Sequence, residues 1–403
     1  MRTTSGSPPR PVRLAFLTAA GLLLAAALGF VTYSVLVGLG VTNPGPGLFA
    51  SECLPAVRAV EPTRPSPVYN ELHGLDVLSP TLAWAVGTYG EEDFALPLIE
   101  RWDGERWGAV DAPSVPDFSN HLYAIAAISP EEAWAVGASH RGTDLWRTMA
   151  LRWDGRVWSI VDTPTVGTVS SLNDVAGVAT DDVWAVGETS TGRKGLGTSA
   201  LAMHWDGAEW TLVDTGVRLT NASLNGVAAI ASDDVWAVGA YSDASGTVNL
   251  PLAIHWDGER WRQVDVPGEG QLWAVSAASS REVWAVGNFG PQSLALGWYG
   301  ESWARVPSPN PGRSSVFYAV SSSPGEAWAA GSHIADGREV PYIARWSGAE
   351  WREVATPQVG RISDTLWAID IHGAEGWAAG SSIQDAQGNN APVTLRIENP
   401  CGE

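Results

Sequence analysis

Apolar positions in this chain come in two arrangements. The first is a single uncharged run, "LAFLTAAGLLLAAALGFVTYSVLVGLGVT", residues 14–42. As a helix it would extend about 43 Å at roughly 1.5 Å per residue, enough to cross a hydrocarbon core of about 30 Å. The second arrangement fills the rest of the chain with short apolar blocks separated by Gly, Pro, Asp and Ser, and no stretch there has a helical period. The phrase "DDVWAVG" stands at 181–187 and again at 233–239, with close relatives at five other places. Aligned on its tryptophan, Trp84, Trp134, Trp184, Trp236, Trp284, Trp328 and Trp377 recur at intervals of 50, 50, 52, 48, 44 and 49 residues. A period near 50 containing four strand-like runs predicts an all-β chain, a seven-bladed β-propeller of four-stranded blades.

The third copy shows what each position is for. "SLNDVAGVA" is small and β-branched, as an innermost strand in a crowded ring must be. "VWAVG", the second strand, is apolar on both faces because a neighbouring blade covers each side. A variable loop leads to "SALAMHW", the third strand, and "DG" then predicts a hairpin with both residues at positive φ. "EWTLVD" is the outer strand. Third strands end in Trp102, Trp153, Trp205, Trp256, Trp298 and Trp346, and fourth strands begin with Trp107, Trp158, Trp210, Trp261, Trp303 and Trp351. The three columns hold 19 of the 22 tryptophans, so most tryptophan here is packing between splayed sheets.

The last copy runs through "GWAAG" and "APVTLRI" and stops at "ENPCGE" without a fourth strand. Residues 57–60, Val-Arg-Ala-Val, match the outer-strand pattern of 107–110, so a strand from the start of the chain is expected to complete the last blade. The two cysteines, Cys53 and Cys401, fall where the missing hairpin would be, and a disulfide there would pin the ring shut. That bond needs an oxidising compartment.

A second strand ending in glycine, an aromatic-ended third strand and a tryptophan opening the fourth resemble Kelch and galactose-oxidase-type propellers over residues 53–401. The sequence has one glycine, as at Gly87, Gly137 and Gly187, where Kelch repeats have two.

Charge decides topology and excludes one class of partner. Arg2, Arg10 and Arg13 precede the apolar run and none follows closely, which puts the N-terminus in the cytoplasm. The expected order is a basic cytoplasmic tail (1–13), a transmembrane signal anchor (14–42), a Pro/Gly linker (43–52) and an extracytoplasmic propeller (53–401). A cleavable signal peptide is the rival reading, but its apolar core is usually about 7–15 residues. The net charge of −20 opposes a phosphate backbone, so nucleic acid is not an expected partner. Lys194 is the only lysine among 24 basic residues, a bias typical of GC-rich bacterial genomes.

Catalytic, metal and cofactor motifs are not apparent. His204 and His255 share a column with Arg101, Arg152, Arg345 and Arg396, which marks them as structural. The acidic pairs Glu131-Glu132, Asp181-Asp182 and Asp233-Asp234 are expected to cap turns. What varies is a column near the start of the first strands: His73, Tyr123, Asn173, Asn225, Trp273, Tyr318 and Trp367. Trp273, Tyr318 and Trp367 come from adjacent blades and predict an aromatic arc at the channel mouth, able to stack on sugars or grip a peptide. The competing reading is that they fill the inner end of the core. Trp146, in a long second-to-third-strand loop, is the eighth candidate. These residues point to a non-catalytic binding or scaffold propeller for an envelope protein or a glycan. A lectin, or a glycan hydrolase or lyase drawing carboxylates from Glu91, Glu92 or Asp385, is the alternative.

One prediction follows from the cysteines. Non-reducing peptide mapping of chain made under oxidising conditions recovers Cys53 and Cys401 as one linked pair, and Cys53→Ser costs about 2–5 kcal/mol of stability. Two free thiols would contradict it.

Overall fold

The computed structural model describes residues 55–399 apart from 92–93, 143–144, 193–196, 244–245 and 247. The tail, the apolar run, the linker, Cys53 and Cys401 lie outside the described residues. Among the described residues no helix is long and apolar enough to cross a membrane.

Among the described residues all the secondary structure is strand: 28 strands in four-stranded antiparallel sheets, the architecture of a β-propeller. One eight-stranded sheet is two such sets, blades two and three, linked by a single parallel bridge between Trp146 and Val169. Blades one to seven begin with the inner strands Tyr69–Ser79, Ser119–Ser129, Val169–Ala179, Ser223–Ala231, Gln271–Ser279, Ser315–Ser323 and Ser363–His372. The last blade takes its outer strand from the other end of the chain. Ala56–Val60 pairs antiparallel with Asn390–Glu398, and Val57 stands opposite Ile397 as Trp107 stands opposite Trp102.

Every inner strand carries the same irregularity. Its pairing slips by one residue between Leu72 and Gly74, and likewise at Leu122/Ala124, Leu172/Asp174, Leu224/Gly226, Leu272/Ala274, Phe317/Ala319 and Leu366/Ala368. The extra residue of such a bulge has no ladder partner, and the strand bends around it. The glycine of "VWAVG" is what admits the bulge. A Cβ on Gly87 would lie 1.9 Å from the Glu71 carbonyl oxygen, and on Gly187 1.9 Å from that of Ser171. The five equivalent glycines face the same obstruction, at 1.9–2.0 Å.

Tryptophan joins the blades. Trp84 of blade one meets Trp153 at 5.2 Å and Trp158 at 5.4 Å in blade two, the latter edge-to-face. The same triad forms around Trp134, Trp184, Trp236, Trp284 and Trp377, each against the next blade. Edge-to-face indoles add dispersion and quadrupole attraction to simple burial. The seventh joint differs, because the closing strand has no tryptophan: Trp328 packs in a cluster with Ile397 and Val57 instead.

Two expectations about polar residues need correction. The second acid of each pair is no turn cap but a cross-strand partner. Glu132 binds Arg152 at 2.7 Å, Asp182 binds His204 at 2.8 Å and Asp234 binds His255 at 2.8 Å. Chain length explains the pairing: Glu132 reaches both Arg152 and the Trp134 indole N–H, whereas the shorter aspartates reach only a histidine. In the "DG" turns φ is positive at glycine alone (+98° at Gly104, +87° at Gly155). The aspartate contributes a carboxylate that accepts two backbone N–H groups, as Asp103 does from Glu105 and Arg106.

Trp184→Ala is expected to cost about 3–5 kcal/mol in denaturant unfolding, as large core truncations do. Gly187→Ala, a gain of one methyl, is expected to cost at least about 1–3 kcal/mol through overpacking against the bulge. A neutral Gly187→Ala would show that the bulge does not need its glycine.

Candidate functional site

The seven bulge residues are His73, Tyr123, Asn173, Asn225, Trp273, Tyr318 and Trp367. All seven line one cavity of about 760 Å³ along the channel, and each is half-buried. The fold therefore brings together the whole variable column that the sequence singled out. Five members make a continuous arc: Trp273 to Tyr318 at 5.9 Å, Tyr318 to Trp367 at 4.6 Å, Trp367 to His73 at 6.1 Å and His73 to Tyr123 at 6.0 Å. The indole N–H groups are turned away from the cavity, Trp273 donating to Asn288 Oδ1 at 3.0 Å and Trp367 to Ser381 Oγ at 3.2 Å.

Asn173 and Asn225 behave differently. Each donates its side-chain N–H to the backbone of the next blade, Asn173 to the Leu224 carbonyl at 2.9 Å and Asn225 to that of Leu272 at 2.8 Å. They line the cavity, but their amides tie blades together.

Trp146 does not line that cavity. It belongs to the third strand of blade two, Leu145–Trp153, and its ring stacks on His140 at 4.1 Å. Its backbone N–H donates to Thr168 O at 3.1 Å, bridging blades two and three. His140 in turn stacks on His121, with their Nε2 atoms 3.1 Å apart. The Asp385 carboxylate closes its own loop, accepting from the Gln387 and Asn389 N–H groups. The side chains of Glu91 and Glu92 lie outside the described residues.

Sequence reading missed the carboxylates of the channel wall. Asp76, Asp174, Asp370 and Glu188 all line the cavity. Asp76 accepts the Ala127 N–H of blade two at 2.8 Å, Asp370 the Val77 N–H of blade one at 2.9 Å, and Asp174 the Val227 N–H of blade four at 2.8 Å. Ser276 and Ser321 do the same for Ser322 and Ile371, at 3.0 and 3.1 Å. Burial pushes Asp174 up to about 7 against the pull of its two N–H partners. Burial, then the Asp370 charge, raises Asp76 well above the carboxylate range, and burial raises Asp370 too. Above them sits Glu71, which accepts from Tyr69 at 2.8 Å and from Asn390 at 2.9 Å and lies 3.2 Å from His73. Its burial would raise it, but His73 and Tyr69 together hold it below its ordinary value. The only available signal for these groups was acid within an otherwise apolar strand.

No protein-family model and no curated protein matches the chain. Solved structures do. The chain is similar to YCF48 bound to D1 peptide, with 16% identity and a TM-score of 0.53 over 84% of this chain and 96% of that one. It is similar to the WD40 β-propeller domain of Doa1, at 10% identity and TM-score 0.52 over 85% and 97%. It is also similar to the GH74 xyloglucanase from Xanthomonas campestris, at 14% identity and TM-score 0.52 over 84% and 55%. The shared feature is the fold: this is a β-propeller. The likeness runs across propellers of several kinds and does not single out the Kelch family.

The buried acids make a pH prediction. Asp174, and Glu100 beneath Thr63, have folded-state values near 7 because of burial, against about 4 in an unfolded chain. The folded state therefore holds more protons between these limits. Stability is greatest toward the lower limit and is lost as pH rises through about 7. The melting temperature is expected to be higher at pH 5.5 than at pH 8. Self-repulsion of the −20 chain acts in the same direction, so the decisive measurement is a shallower slope in Asp174→Asn.

Proposed function

We propose that this chain is a non-catalytic, membrane-anchored binding propeller, outside the plasma membrane, that seats a segment of an envelope protein at its channel mouth. The observation that carries the reading is the bulge column. Seven blades each set one bulge residue toward a common cavity, and five of the seven are rings in contact. Half-buried aromatics at a concave mouth are what anchors for a partner look like, since they contribute contact area at little entropic cost. That one similar structure holds a bound peptide is consistent with a peptide partner. The anchor rests on residues 14–42 and the arginines before them.

The non-catalytic part rests on what the channel carboxylates do. Asp370 accepts Val77 N–H with one oxygen and Ser321 O–H with the other, and Asp174 accepts Val175 and Val227. Groups that hold neighbouring blades in place are poorly suited to moving protons in a reaction.

Trp273→Ala, Tyr318→Ala and Trp367→Ala are expected to stay folded, losing a few degrees of melting temperature, while the full chain in detergent retains its partner at least about tenfold less well. Partner capture from intact envelopes, compared with the unsubstituted chain, reads this directly. If all three unfold the propeller as Trp184→Ala does, the arc is core and the site lies elsewhere. Loss of a glycan instead of a protein from the captured material would favour the lectin alternative.

A further inference from the structure

We propose that the segment seated at the mouth presents a basic side chain, lysine or arginine, to the channel. This rests on the mouth being the binding site, and it adds the chemistry of the ligand.

Three observations carry it. First, the arc offers ring faces. Trp273, Tyr318 and Trp367 crowd one side of the cavity, and an ammonium or guanidinium group over such faces is attracted by their quadrupoles, more strongly where water is excluded. Second, the wall carries acids, whose negative charge grows as pH rises. Asp76, Asp174, Asp370 and Glu188 line the cavity, and among the described residues no lysine or arginine does. A channel walled by carboxylates focuses field toward its mouth and concentrates cations there.

Third, the hydrogen-bond donors near the mouth are largely spent on the protein. The Asn173 and Asn225 amides go to backbone carbonyls, the Trp273 and Trp367 indoles go to Asn288 and Ser381, and Gln271 donates to Asn288. A neutral sugar needs both donors and acceptors from its site. A cation brings its own donors and asks only for acceptors and ring faces. An anionic ligand would meet carboxylates with no donor-rich side to receive it.

The raised carboxylates add a second, independent readout. A cation at the mouth favours their ionised forms, so its binding releases protons and strengthens as pH rises from 6 to 8. The other titratable groups facing the cavity are Glu188, His73, Tyr123 and Tyr318, with Glu71 beside His73, and a charge on His73 would oppose the ligand.

The test uses full-length chain in detergent and four probes: hexalysine, hexaglutamine, hexaglutamate and cellohexaose, followed by quenching of tryptophan fluorescence and by calorimetry. Hexalysine is expected to bind at least tenfold more tightly than hexaglutamine, and more tightly at pH 8 than at pH 6. Trp273→Ala and Asp76→Asn are each expected to weaken it about tenfold with melting temperature largely kept. Asp154→Asn, an exposed turn acid, should leave it unchanged. Equal hexalysine binding by Trp273→Ala, Asp76→Asn and Asp154→Asn would mean only diffuse attraction to an acidic surface, and overturns the proposal. Binding of hexaglutamine, hexaglutamate or cellohexaose as tight as hexalysine, and lost in Trp273→Ala, overturns the cation while leaving the mouth as the site. Binding of no probe, with partner capture unaffected by Trp273→Ala, overturns both.

Discussion

The structure depends on a missing methyl group. In each blade the second strand carries within it, and not at its end as the sequence suggests, a glycine whose Cβ would strike a carbonyl oxygen of the inner strand at about 2 Å. Because no Cβ is there, the inner strand can hold one residue too many, bulge, and turn that residue toward the channel. The "VWAVG" phrase thus recurs for two reasons at once. Its tryptophan fills the joint with the next blade, and its glycine creates the position that faces the channel. Scaffold and site are specified by the same five residues.

Much of this was legible in the sequence. The period of the tryptophans gave the blades, and Val57-Arg58-Ala59-Val60 gave the closing strand, because outer strands have a pattern simple enough to match at a distance. The variable column was legible for a physical reason too: a bulge residue is released from the small or β-branched requirement of its neighbours, so it differs from copy to copy. The bulge itself was not legible. It arises from register, and register is a property of two strands. Asp76 and Asp370 stayed hidden because the ring places them side by side from opposite ends of the repeat array. Trp146 was read as loop because the start of its strand, Leu145–Trp153, is polar and variable like the loop before it.

The polar ties between blades explain which bulge residues are aromatic. Joints between blades five and six, six and seven, seven and one, and one and two are held from below by Ser276, Ser321, Asp370 and Asp76. The bulge residues in those blades are Trp273, Tyr318, Trp367, His73 and Tyr123. Blades three and four carry alanine, Ala176 and Ala228, in the column of Asp76, and there the tie moves upward to Asn173, Asp174 and Asn225. The remaining joint, between blades two and three, is tied outside the column by the Trp146 backbone.

A division of labour follows from this accounting. Where a serine or aspartate lower in the strand fixes the joint, the bulge position above is relieved of structural duty and presents a ring. In blades three and four, where no such residue exists, the bulge position does the fixing and is an asparagine. Blade two has Ala126 in that column but keeps a ring, Tyr123, because its joint is tied through the Trp146 backbone instead. The asymmetry of the mouth, rings on one side and engaged amides on the other, therefore needs no separate origin in ligand chemistry. It comes from how each joint is closed, and a ligand that uses the mouth meets an arc already set by the ring's own ties. The same logic separates the two kinds of tryptophan. The second-strand and fourth-strand tryptophans of the triads are fully or almost fully buried and belong to the joints, whereas Trp273 and Trp367 are half-buried, with their polar edges anchored and ring surface left toward the cavity. An indole held by its N–H keeps a fixed face without filling the space in front of it, which is the condition a preorganised binding surface has to meet.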